Sequence, residues 1–119
     1  MRIEEVEEIL RLHPYLPKPK FVYMVDERVV ADLDGALAVV RGATPKWRRD
    51  TIVLTPDAGH DTVVHEILHT MGFGEIVANV LGGRIAKLRR LVPPLIKDEV
   101  KYEYLHSPHP KIKVYVRKE

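Results

Sequence analysis

The spacing of apolar and polar positions changes period twice along the chain. Ile3, Val6, Ile9 and Leu10 recur at helical spacing among glutamates, which predicts a surface helix over residues 3 to 12 that stops before Pro14. Pro14, Pro17 and Pro19 follow as a stiff connector. The period then shortens to that of strands. Phe21 to Val25, Arg28 to Ala31, Ala36 to Val40 and Thr51 to Thr55 are β-branched or aromatic runs, Asp34-Gly35 is a turn signal, and three or four mostly antiparallel strands are expected.

From Asp61 the helical period returns. Val64, Ile67, Leu68 and Met71 form one apolar stripe, with Asp61 placed to cap the start and Gly72 the end of a helix of about three turns. Ile76, Val77, Val80, Leu81, Ile85 and Leu88 give a second helical pattern, interrupted only by Gly82-Gly83. After Pro93-Pro94, the residues Leu95, Ile96, Val100 and Tyr104 predict a third helix, which Ser107-Pro108-His109-Pro110 ends. Ile112, Val114 and Val116 then alternate with Lys111, Lys113, Tyr115 and Arg117, the period of a half-buried strand. The expected architecture is α+β: a small, mostly antiparallel sheet of three to four strands packed with an N-terminal helix, the helix starting at Asp61 and two further helices, plus a β-prone C-terminal tail.

Composition narrows the function classes. A chain of 119 residues holds one compact domain, here read as a core over 1–106 and a tail over 107–119. The formal charge of +2 is too small to point to nucleic acid, and Lys46-Trp47-Arg48-Arg49 reads as a solvated loop. Without cysteine there is no disulfide, thiolate metal site or cysteine nucleophile. The acidic, amphipathic start is unlike a signal peptide, and no apolar run approaches the roughly 20 residues of a membrane span, so the cytoplasm is the expected location. Abundant charges of both signs fit a thermophile. Oligomeric state has no sequence signal.

The chemistry lies in His65-Glu66-Ile67-Leu68-His69. Two histidines four apart project from one helical face and can reach one Zn2+ ion. Glu66, offset by one position, can stand beside the ion without ligating it, take a proton from a zinc-activated water and pass it to a leaving amine. The reading that follows is a zinc metallopeptidase, a hydrolase acting on a peptide or protein substrate, with Glu66 catalytic and His65 and His69 as ligands.

On this motif and the β-prone run Thr51 to Thr55 before it, the chain resembles the minigluzincins, minimal soluble metallopeptidases akin to the catalytic domains of CAAX-prenyl endopeptidases and HtpX. The resemblance implies a third zinc ligand on a later helix, where the general gluzincin pattern is Glu-x-x-x-Asp. This chain offers Glu99-x-x-x-Glu103 and Glu103-x-x-x-Ser107 instead. Glu99, Glu103 and His106 share a face of the expected third helix; His106 is the first choice as ligand, Glu103 its rival and Glu99 a supporting group. Glu75 follows in the spacing His-x-x-Gly-x-x-Glu, as in a metzincin-like site, although the methionines here are only Met1, Met24 and Met71 and none lies downstream to make the methionine-bearing turn of that group.

The other titratable residues have simpler readings. His13 and His60 read as surface or capping residues. Tyr102 or Tyr104 could face an oxyanion but read first as core. The tail leaves the supposed ligand helix beside the metal, so a self-inhibited zymogen with His109 near the open zinc position stands against a plain structural strand. A reading of another class is a non-catalytic zinc-stabilised binding domain, which needs no base at Glu66.

Overall fold

The computed structural model describes residues 1–91 and 99–118. Helix α1 (Ile3–Leu12) leads to strands β1 (Phe21–Val25), β2 (Val29–Leu33), β3 (Ala36–Val40), β4 (Gly42–Ala43) and β5 (Thr51–Leu54). Helices α2 (His60–Thr70) and α3 (Glu75–Leu91) follow, then strands β6 (Tyr102–His109) and β7 (Ile112–Arg117). The class is α+β. Five strands form one sheet in the order β4-β5-β1-β7-β6, and β2 and β3 form a separate hairpin. That hairpin turns through Asp34 and Gly35, both with positive φ (53° and 85°), as a two-residue turn between twisted strands requires.

The sheet is mostly antiparallel, as expected, with one parallel pair. β1 pairs β5 in parallel, Phe21 opposite Thr51, and its other edge pairs antiparallel with β7, Tyr23 opposite Val114. A parallel pair needs a long crossover, and here the β2–β3 hairpin and β4 supply it in place of a helix. Val63, Val64 and Ile67 of α2 bury their side chains with Ile52 and Leu54 of β5 and with Val6, Ile9 and Leu10 of α1. At about 25 cal/mol per Å² of apolar surface, this cluster is the main force that fixes α2 on the sheet.

Several sequence expectations change. The helix expected over Leu95 to Tyr104 is not formed where it can be seen: Val100 is buried ahead of β6, Tyr104 lies within β6, and Leu95 and Ile96 fall outside the described residues. The hydroxyl of Tyr102 donates to the carbonyl of Pro19 and its N–H to Glu7 Oε2 (2.6 Å), so this segment is held as an extended edge by long-range bonds that no local period records. The tail is structural. β7 sits between β1 and β6 with Val114 only 1% exposed, which places it inside the sheet and not in a cleft.

α1 is the expected surface helix, with Val6, Ile9 and Leu10 buried and Glu4, Glu5 and Glu8 exposed; the addition is Glu7, buried against the start of β6. α3 turns inward a different face from the one most of its apolar residues suggest, although Ile85 packs against the core. Ala78, Gly82 and Ala86 are buried, whereas Ile76 is 81% exposed and Val77, Val80 and Leu81 also face solvent. The small residues win because they let α3 come close: a Cβ on Gly82 would stand 3.4 Å from the Cα of His65.

Candidate metal centre

Gly59 is the N-cap of α2 and its N–H donates to Thr62 Oγ1 (3.0 Å), so Asp61 is a first-turn residue rather than the cap. The helix ends in a Schellman motif. Phe73 N–H donates to Leu68 O (3.2 Å) and Gly72 N–H to His69 O (3.0 Å), with Gly72 at φ 96°. Met71 caps the helix and is exposed, not part of the buried stripe.

This turn has a chemical consequence. It brings the Phe73 carbonyl to 2.9 Å from His69 Nδ1, which donates to it, and so orients the ring with Nε2 towards the site. One helical turn earlier, His65 presents its Nε2 2.9 Å from His69 Nε2. The first residue of α3 then closes the group: Glu75 sets Oε2 2.9 Å from His69 Nε2 and Oε1 3.2 Å from His65 Nε2. The glycine that reverses the chain after α2 is therefore what returns a carboxylate to both imidazoles.

Glu66 lies on the buried side of the same group. It is 4% exposed, and Thr44 Oγ1 stands 3.1 Å from its Oε1 and 3.0 Å from its main-chain carbonyl. Gly42 of β4 presses on the same carboxylate, since a Cβ there would meet Glu66 Oε2 at 3.0 Å. Burial pushes the Glu66 carboxyl above its usual range; the Thr44 hydroxyl and the charges of His65 and His69 pull it partly back, and Glu75 raises it. A carboxylate so placed is a stronger base than an exposed one.

No family model, curated protein or solved structure matches the chain. The donor set itself tests whether a metal fits. Ligand atoms of His65, Glu66 and His69 lie within 4.8 Å of one another, and Glu75 adds its oxygens on the exposed side. Bonds of about 2.0–2.1 Å in a tetrahedron put ligand atoms about 3.3 Å apart, so spacings of 2.9 to 3.2 Å need only tenths of an ångström of adjustment. Two imidazoles and one carboxylate are a zinc donor set.

The other expected donors stand elsewhere. Glu103 and His106 lie on β6, opposite Val116 and Val114 of β7, with Glu99 exposed just before that strand. Two strands, β1 and β7, separate β6 from β5 on which α2 packs, about 14 Å at the usual interstrand spacing. The structure brings none of the three to His65 and His69. His109 is exposed near the β6–β7 turn, where its Nδ1 accepts the N–H of Lys111 (3.1 Å), so it does not approach the candidate centre.

Tyr102 is core, as first read, and Tyr104 is exposed with its hydroxyl 2.7 Å from Ser107 Oγ. His13 is not superficial: it is 1% exposed, with Nε2 2.7 Å from that of His60, so one ring donates and the other accepts. Thr44 and Gly42 had no role in the sequence reading. Neither belongs to a motif, and only the fold lays β4 beside α2.

Two clefts meet at this group. One, of about 420 Å³, is lined by Ala38 to Gly42 and by Ala78, Asn79 and Gly83 of α3; the other, of about 700 Å³, by Gly42 to Lys46, Arg49 and the turn from Gly72 to Gly74. Both include His65, Glu66 and Glu75, so they form one groove across the candidate centre with β4 along its wall. Among the described residues, no helix is long and apolar enough to cross a membrane.

Proposed function

We propose that the chain is a zinc-dependent endopeptidase in which His65, His69 and Glu75 hold the ion and Glu66 is the general base. The observation that carries this reading is the Glu75 carboxylate closing on both Nε2 atoms, at 2.9 and 3.2 Å, beside a buried glutamate that is not needed as a ligand. Three protein donors leave one position of a tetrahedral ion open, which is the arrangement of catalytic rather than structural zinc. This favours the His-x-x-Gly-x-x-Glu reading of the ligand set over one completed by His106 or Glu103.

A zinc ion held there would polarise the scissile carbonyl and lower the pKa of a water towards about 7. Glu66 accepts one proton as the water oxygen bonds to the carbonyl carbon, then delivers it to the amine nitrogen as the C–N bond breaks. Thr44 holds Oε1 of that carboxylate in place, and β4 offers an edge along which an extended peptide can lie. A zinc-stabilised domain without catalysis is the competing reading, and the two diverge at Glu66.

The purified protein should bind about one zinc per chain, with binding lost in His65→Ala and His69→Ala and severely weakened in Glu75→Ala. His106→Ala and Glu103→Ala should bind as the parent does. Glu66→Gln should keep its zinc while cleavage of a denatured protein falls by roughly 10²–10⁴. Undiminished cleavage in that variant, or none in the zinc-loaded parent, sinks the peptidase reading.

A further inference from the structure

The two ends of the groove differ in chemistry. The end between β3 and α3 is walled by Ala38, Val39, Val40 and Ala78; Arg41 and Asp61 at its rim are opposite in sign. Leu37, 80% exposed, adjoins this wall on β3, and Ile76 and Val80 stand three residues from Asn79 and Gly83 on the α3 surface. The other end carries Lys46 and Arg49, and among the described residues neither is ion-paired. Arg49 reaches over the Schellman turn, with Nη1 3.9 Å from where a Cβ of Gly72 would be.

The wall gives the groove a direction. The chain from Ala38 to Lys46 runs from the apolar end to the basic end, and β4 within it is the outermost strand of the sheet. A peptide that adds to β4 in the commoner, antiparallel sense runs the opposite way. Its N-terminal half lies at Lys46 and Arg49 and its C-terminal half between β3 and α3.

We infer that the preferred substrate is a peptide segment with acidic residues before the scissile bond and apolar side chains after it. This rests on the peptidase reading above for cleavage, but the groove's polarity is a property of the walls and can be read by binding alone. Charge complementarity at Lys46 and Arg49 selects the acidic half, and burial of apolar side chains against Val39 and Ala78 selects the other.

The test uses the zinc-loaded full chain and four matched fluorogenic peptides: acidic then apolar, the same halves in reverse order, lysines in place of the acids, and serines in place of the apolar residues. The first should be cut roughly three- to tenfold faster in kcat/KM than each of the others, a range set by two solvent-exposed charge pairs for the reversed and lysine peptides and by apolar burial for the serine peptide. Lys46→Glu combined with Arg49→Glu should invert the preference between the acidic and the lysine peptide. Equal cleavage of all four, faster cleavage of the reversed peptide, or a preference indifferent to the double variant overturns the inference. If none is cut, the peptidase reading fails and fluorescence anisotropy on the same peptides decides: tighter binding of the first, lost in the double variant, sustains the inferred polarity, and equal binding ends it.

Discussion

Gly42, in a strand of two residues, and Thr44, just after it, act on Glu66. A methyl group on Gly42 has its nearest neighbours at 3.0 Å, the buried Glu66 carboxylate and the half-buried Thr62 methyl, so at least one of them must shift to admit it. Gly42→Ala should therefore destabilise the fold by about 1–3 kcal/mol and displace the base. Peptide cleavage should drop about tenfold or more in kcat while zinc stoichiometry is kept; a variant with parental kcat would show that the carboxylate relaxes freely. Thr44→Val deletes the hydroxyl near Oε1 at nearly constant volume and should lower kcat with KM unchanged, with Thr44→Ser restoring most of it. The clustering of His65, Glu66 and His69 was legible in the sequence because it depends only on positions within one helix. The supports of Glu66 were not, because β4 reaches it from 22 residues away.

At the scale of elements, the link from α2 to α3 brings Glu75 to the two imidazoles. Gly72 sits at φ 96°, a conformation costing a non-glycine residue roughly 1–3 kcal/mol, and the turn it makes carries both the Phe73 carbonyl and Glu75. Gly72→Ala should lower thermal stability by that amount and weaken zinc binding about tenfold, measured by competition with a chelating dye. Loss of stability with unchanged zinc affinity would mean the turn does not orient His69. The start and stop of the first helix and the Asp34-Gly35 turn followed from local spacing, since caps and turns are bonds between near neighbours. The inward face of α3 did not. Apolar residues at helical spacing mark a face only when burial is won by side-chain area; here close backbone approach at Ala78, Gly82 and Ala86 decides it, and small residues give no such signal.

For the whole molecule, the order β4-β5-β1-β7-β6 makes the C-terminal segment an interior strand. A chain ending at Ser107 loses β7 and with it both the pairing of β1 and the burial of Val114, so it should be unfolded by circular dichroism rather than more active. A folded, faster truncation would restore the latency that His109 suggested. A second prediction concerns alkaline pH. Burial raises the Tyr102 hydroxyl above its ordinary value, which means the folded state holds that proton more tightly than the unfolded one. Its contribution is complete below the unfolded value of about 10 and is lost as pH rises above it. Tyr102→Phe should therefore lose less stability between about pH 9 and 11 than the parent does, measured by denaturant unfolding at each pH; identical pH dependence would show that the hydroxyl is not the group that titrates.

The sequence by itself determined the α+β class, the helix that bears His65, Glu66 and His69, and the tight turns, all of which rest on interactions within about four residues. Tertiary structure alone decided the parallel pairing of β1 with β5, the extended path of Tyr102 to His109, the inward face of α3 and the approach of Glu75 in place of His106. Each of these depends on a bond or contact between elements that sequence spacing does not relate. The Tyr102 N–H reaches Glu7 across 95 residues, and Lys118 and Lys101 join their backbones at 2.8 Å, whereas a pattern of apolar positions records only which local period can bury a face.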